Sequence, residues 1–300
     1  MSETSTPAGI EPRSLQTRVV TGLVYGVVGL TGVYMGTAFM ALPLMLGVMG
    51  YLALSEFIRI TDSTMARTPR VIGLITTFSI PVTTGLALLA RSSNPVFGEM
   101  GLDATVVPLF VLVIALFAYA WWGSTTADAG IRDIALSFFG ASYIGLPLTF
   151  LTLIRDLPFG LPISIGLVIS VAASDSFAYF AGSMFGRHKL APKISPKKSW
   201  EGLAGGAVGA ILVWWITGTL IEPGFDLWVA VLFGVAITLA ALVGDLFASR
   251  IKREAGVKDS GTLLPGHGGM FDRIDSMLTA IPVAFVFLST VGVLINAIAL

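Results

Sequence analysis

Residues 249–275 read SRIKREAGVKDSGTLLPGHGGMFDRID, a polar segment of cations, carboxylates, one histidine and paired glycines set between two long apolar runs. Such a segment suits a charged ligand handled at a membrane surface. Asp272 and Asp275 stand three residues apart, which puts them on one face of a helix. Asp245 closes the preceding apolar run, so all three acids can converge at one depth. Acids in or beside membrane spans are costly and face a cavity, a partner or an ion. Three converging carboxylates suit a hard cation such as Mg²⁺, which takes one or two carboxylates plus substrate phosphates. Capping of the following helix would account for Asp272 alone but not for the trio. Just upstream, Gly266-His267-Gly268-Gly269 could wrap an anion with backbone N–H groups, with His267 as a phosphate contact or an organiser of the turn.

A second polar stretch lies between two further apolar runs. Asp175 stands in an otherwise apolar segment beside Ser174 and Ser176, followed by Ala178 and Tyr179. It precedes Arg187 by twelve residues, which is about 18 Å along a helix. That depth implies a cavity reaching into the helix bundle, unless Asp175 is paired with an arginine or a hydroxyl. Next come Phe185-Gly186-Arg187 and Ser195-Pro196-Lys197-Lys198-Ser199-Trp200-Glu201-Gly202. Lys197, Lys198 and Ser199 offer cationic and hydroxyl donors for phosphate, and Trp200 fits a membrane interface. Glu201 could bind metal, orient a lysine or face solvent at a helix start.

Both stretches carry the same resemblance. Ser249, Lys252, Arg253, Lys258, Asp259, Pro265, His267, Gly268, Gly269, Asp272, Arg273 and Asp275 resemble, in type and spacing, the signature of the phosphatidate cytidylyltransferases, or CDP-diacylglycerol synthases. Asp175-x-x-Ala178-Tyr179 and the Ser195–Gly202 element resemble two further features of that family, in the same order. Glu56-Phe57 resembles a weaker one and admits Glu56 to the cavity. The resemblance implies CTP and phosphatidate as substrates, CDP-diacylglycerol and pyrophosphate as products, and Mg²⁺, alone or with a second cation, as cofactor. On that reading Asp245, Asp272 and Asp275 bind metal, while Lys258 and His267 act in catalysis. Lys197, Lys198, Lys252, Arg253 and Arg273 contact phosphates, and Ser199, Ser249, Gly268 and Gly269 complete the cradle. Asp175, Glu201 and Asp259 join the substrate site. The lipid phosphate is already anionic, so positioning and charge neutralisation carry the reaction and no strong base is required. Membrane lipids and a homodimer are the implied partners, and nucleic acid is not.

The elements that position these residues must lie in a membrane. With 55% hydrophobic and 12% charged residues and a mean hydropathy of +0.86, the chain is too apolar for a soluble globular protein. Its 34 glycines suit closely packed helices in lipid. There is no cysteine, which excludes disulfides and thiolate metal sites. Apolar stretches of about 20 residues, enough to cross a bilayer, fall at 18–36, 38–58, 71–90, 104–122, 134–154, 162–186, 202–221, 227–247 and 276–299. The expected fold is therefore an all-α integral membrane protein of about nine spans. Residues 1–17 are expected as a disordered tail, 18–155 as scaffold, lipid path or dimer interface, and 156–300 as the catalytic part. Gly36-Thr37-Ala38 loosely fits a signal cleavage site, but the apolar run is too long and another follows at once, so cleavage is not expected.

A cytoplasmic N-terminus places all but Arg91 and Arg155 of the 18 basic residues on the inner side. It puts loops 187–201 and 248–275 in the cytoplasm and the C-terminus outside, as expected of a cytoplasmic-membrane enzyme whose site faces the cytosol. For Arg59, Arg67 and Arg70, attraction to anionic headgroups is explanation enough. Two rivals remain. A cytidylyltransferase for polyprenyl or archaeal-type lipids would share the chemistry and differ in its lipid pocket. A transporter would spread its charges through the membrane depth or between two repeated halves; here they cluster at one face of the C-terminal half, without a repeat.

Overall fold

In hydrocarbon every backbone N–H and C=O must find its partner within the protein, so the apolar runs become helices. The computed structural model describes residues 12–36, 40–93, 100–123, 130–263 and 268–298. Its helices are α1 (Pro12–Met35), α2 (Ala41–Thr61), α3 (Arg67–Ser93), α4 (Met100–Gly123), α5 (Ile131–Gly140), α6 (Leu146–Asp156), α7 (Gly160–Phe185), α8 (Trp200–Ile221), α9 (Leu227–Glu254), α10 (Phe271–Ile274) and α11 (Met277–Ile298). The protein is an all-α integral membrane protein. Among the described residues six helical stretches are long and apolar enough to cross a bilayer: α2, most of α3, α5 through α6, α7, α8 and α9. The remaining expected spans correspond to α1, α4 and α11.

Several boundaries differ from the sequence expectation. Of the tail expected at 1–17, α1 takes the residues from Pro12 onward; a proline in the first turn is pre-organised for a helix. Residues 1–11 lie outside the described residues. The span expected at 134–154 is interrupted by a π-helical turn, Ala141–Gly145. The widened turn carries Tyr143, which stacks on Phe139 and meets Phe247 and Phe271 edge-on. The segment 187–201 is not a plain loop but an antiparallel hairpin of β1 (Lys189–Ala191) and β2 (Ser195–Ser199). Finally, α9 runs on to Glu254, so Ser249, Lys252 and Arg253 ride on its last turns. Cations there meet the negative end of the helix dipole.

Buried side chains from both halves of the chain form one continuous cluster, from Val33 and Leu42 to Ile281 and Ala284. A second, smaller cluster packs Leu112 and Leu116 of α4 against Ala141. Arg155, one of the two basic residues that depart from the charge bias, holds the end of α1: its guanidinium donates to Val33 O at 2.9 Å and Tyr34 O at 3.3 Å. These are carbonyls that the helix leaves without an internal partner.

Among the described helices the most extensive contact is between α7 and α8. Gly202, Gly206 and Gly209 lie on one face of α8, and a Cβ there would stand 2.9, 2.9 and 3.0 Å from the carbonyl oxygens of Ala178, Ser174 and Ala173. Small residues let the backbones approach this closely, and the approach holds Asp175 opposite the start of α8. Gly209→Leu should therefore force the helices apart. Overpacking of this kind typically removes about 1–3 kcal/mol, to be measured as a lowered unfolding midpoint in detergent.

Candidate functional site

The site is built where α7, the hairpin, α9 and the segment 272–276 meet. On α7, Ser174, Asp175, Ala178 and Tyr179 face a cleft of about 360 Å³. The hairpin folds back over this end of the bundle and delivers Lys197, Lys198 and Ser199 to the same cleft. Asp245 on α9 and Asp272, Asp275 and Ser276 around α10 complete its wall. The carboxylates of Asp175, Asp245, Asp272 and Asp275 therefore share one space, although they come from three separate parts of the chain.

Two lysines hold three of these acids. Lys198 Nζ reaches from the hairpin to Asp245 Oδ2 at 2.6 Å, while Ser249 Oγ lies 3.2 Å from Asp245 Oδ1, one turn along α9. Lys252 is buried, with Nζ 2.6 Å from Asp272 Oδ1 and 3.8 Å from Asp275 Oδ2. The second oxygen of Asp272 accepts from Ser260 N at 2.8 Å and Gly269 N at 3.0 Å, with Ser260 Oγ at 2.9 Å. Burial works against the Asp272 charge, but the hydrogen bonds from Lys252, Gly269 and Ser260 and the Lys252 charge outweigh it. They hold the carboxyl below the ordinary carboxylate range. The helix expected to carry both acids on one face breaks instead: Asp272 sits in the short α10 and Asp275 in the turn before α11. Asp275 Oδ1 accepts from Ser276 N at 2.7 Å.

The glycines act through the backbone. Gly268 has φ +82°, a left-handed conformation that side chains disfavour, and a Cβ there would come within 2.9 Å of Asp272 Oδ2. Gly269 is packed against Glu56 and Ser260. Ser199 Oγ accepts from Gly202 N at 3.1 Å, so this serine caps α8 as well as facing the cleft. Glu201 turns to His188, with 2.7 Å between Oε1 and Nδ1, and ties the base of the hairpin. Arg253 donates to Val257 O at 3.0 Å. It is exposed, as are Lys258 and Asp259, and none of Arg253, Lys258, Asp259 or Glu201 lines the cleft. Arg273 is exposed at the mouth of a neighbouring apolar groove. His267 and Pro265 lie outside the described residues.

Two contributors received little weight from sequence. Ser260 bridges the site to α2: its Oγ is 2.9 Å from Glu56 Oε2, and its carbonyl accepts from Arg59 Nη2 at 2.5 Å. Glu56 is buried and also accepts from Phe271 N at 3.0 Å. It anchors the loop and does not line the cleft. A carboxylate inside an apolar helix was the available signal for Glu56. Ser260 gave none, because a serine in a polar segment is unremarkable.

Among the described residues no group of three or more His, Asp or Glu side chains is gathered tightly enough to hold a metal ion as arranged. The donor chemistry nevertheless fits a hard cation. Four carboxylates face one cleft, three of them in contact with Lys198 or Lys252, and carboxylate oxygens are the ligands such ions take. Lys252→Met should leave Asp272 and Asp275 buried without a cation. Removing one partner of a buried pair costs about 3–5 kcal/mol, read as a lower unfolding midpoint in detergent, with partial recovery when Asp272→Asn is added.

A model of the cytidylyltransferase family matches residues 16–291. The phosphatidate cytidylyltransferase of Bacillus subtilis is 31% identical over 92% of this chain and 98% of its own length. That of Pseudomonas aeruginosa is 34% identical over 65% of this chain and 79% of its own length. That of Mycobacterium bovis is 46% identical over 41% of this chain. The chain spans about half or less of the mycobacterial relatives it matches, 40% in Mycobacterium bovis and 51% in Mycobacterium leprae. With the family match running from α1 into α11, across both the cleft and the helices that frame it, the chain belongs to the cytidylyltransferase family.

Proposed function

We propose that this protein transfers the cytidylyl group of CTP to phosphatidate, giving CDP-diacylglycerol and pyrophosphate. The observation that carries the reading is the meeting of two unlike spaces. The polar cleft and an apolar groove of about 640 Å³ share Asp175, Asp272, Asp275 and Ser276 in their walls. A substrate with a phosphate head and hydrocarbon tails fits that junction.

The bond changes balance without a base. A phosphate oxygen of the lipid attacks the α-phosphorus of CTP, the α–β bridging P–O bond breaks, and pyrophosphate leaves with its electron pair. The barrier is that of bringing an anion against a polyanion, so positioning and charge neutralisation dominate. Lys197 and Lys198, at the hairpin end of the cleft, suit the triphosphate. Lys198 lies between Asp245 and the open space, so its ammonium can contact both. Lys252 and the donors from Ser260 and Gly269 hold Asp272 in place.

A divalent cation, Mg²⁺ in this reading, would be held by Asp245 and Asp275, with Asp175 and Asp272 on the same cleft. It supplies neutralisation of charge on attacking and leaving oxygens. The active site faces the cytoplasm of the inner membrane, since the hairpin and the 249–275 segment carry most of the basic residues. Arg253, Lys258 and Asp259, exposed and outside the cleft lining, are then candidates for guiding substrates toward it.

Purified protein in detergent, given CTP, Mg²⁺ and radiolabelled phosphatidate, should form CDP-diacylglycerol. Asp275→Asn should reduce the rate by about 10²-fold or more, the scale of losing one preorganised electrostatic contact. Absence of product from the parent protein would overturn the activity. Full activity in the variant would overturn the carboxylate assignment, and turnover of a polyprenyl phosphate in place of phosphatidate would reassign the lipid.

A further inference from the structure

Beside the catalytic cleft lie two apolar grooves, not one. The larger, about 640 Å³, runs from the carboxylates between α1, α2, α6, α7 and α11. The smaller, about 340 Å³, is bounded by α1 and α2 and ends at Met270. They share a ridge formed by Met45 and Met49 on α2, with Gly29 of α1 facing it. The larger groove is no shallow gap in a lipid-facing surface. Its walls include Val33 and Leu46, each 2% exposed, and Ile281, which is fully buried.

Both grooves open beside the same short element. Met270 immediately precedes α10, and the larger groove reaches Asp272, Arg273, Asp275 and Ser276. Hydrocarbon entering either groove is thus tethered near one polar point. Arg273 is exposed at that point and makes no ion pair among the described residues, so it can meet an anionic head. Beside Leu30 and Val33, the α1 wall is open at Gly26 and Gly29, where an added Cβ would meet nothing within 4 Å. Methionine is flexible and polarisable, which suits a divider between chains of varied shape.

We infer that the two grooves take the two acyl chains of the lipid substrate, one on each side of the Met45–Met49 ridge, and that the open wall at Gly26 sets how bulky a chain the larger groove accepts. The inference rests on the phosphatidate reading above and deepens it. It predicts that a two-chain lipid is bound in preference to a single-chain one, because one tail would leave an apolar groove unfilled.

The test measures CTP-dependent conversion of dihexanoyl, dimyristoyl and dioleoyl phosphatidate and of oleoyl lysophosphatidate. The proteins compared are the parent, Gly26→Phe, the double variant Met45→Ala/Met49→Ala, and Val208→Phe on the exposed outer face of α8 as a control. Gly26→Phe should raise KM for dioleoyl phosphatidate about tenfold or more while dihexanoyl phosphatidate changes less than about twofold, the contrast expected when several methylenes lose their place. The ridge variant should narrow the preference for phosphatidate over lysophosphatidate, and Val208→Phe should match the parent. A photoactivatable acyl chain on phosphatidate should crosslink to α1 and α2 in the parent protein.

Equal effects across chain lengths, or crosslinks confined to outer faces such as that of α8, would overturn the inference while leaving the reaction intact. A parent inactive on every phosphatidate, dihexanoyl included, would instead overturn the phosphatidate reading and the inference with it.

Discussion

A buried ammonium–carboxylate contact, Lys252 to Asp272, is the constraint on which the site depends. It joins the end of α9 to α10 at 2.6 Å, and each partner would be untenable alone in so little water. Around it the chain has arranged every available donor: Ser260 and Gly269 turn their N–H groups onto the second Asp272 oxygen. The left-handed Gly268 allows that turn without a side chain striking the carboxylate. From this pair follow the break between α10 and α11 and the placement of Asp275 in the cleft.

The contact is braced from the other half of the chain. Glu56 on α2 accepts from Phe271 N and the Ser260 hydroxyl, and Arg59 donates to the Ser260 carbonyl. Beneath them Phe57, Phe139, Tyr143, Phe247 and Phe271 form an aromatic cluster linking α2, α5, the π-helical turn, α9 and α10. The π-helical turn swings Tyr143 into that cluster, which gives the interruption of an otherwise regular span a packing role. Helices without recognisable chemistry in their sequence thereby hold the segment that has it.

The same arrangement divides polar from apolar space. The close glycine contact of α7 with α8 keeps the hairpin over the cleft, so Lys198 can reach Asp245 across it. On its other side α7 walls the apolar groove, and Asp175 stands at the boundary of the two. One helix thus presents a carboxylate to a polar cleft and hydrocarbon side chains to an apolar groove. That is the geometry required by any reaction between a nucleotide and a membrane lipid.

Much of this was legible in the residues themselves. Apolar runs of bilayer length must be helical because lipid offers no partner to a free backbone group. The segments containing Asp175, Lys198, Asp245, Asp272 and Asp275 stood out because charge beside such runs is costly without a purpose. The sequence could not show the hairpin, since Ser195–Ser199 pairs with Lys189–Ala191 only once α7 and α8 lie together. Nor could it show that Lys252 and Lys198 pair with separate acids, that Asp272 organises a loop, or that Glu201 turns away to His188. What the sequence by itself determined was the class of protein and which segments carry charge beside apolar runs, because those follow from local polarity. Which side chains meet was decided only by tertiary structure, because Glu56 and Ser260 are 204 residues apart and their contact exists only when the whole bundle is packed.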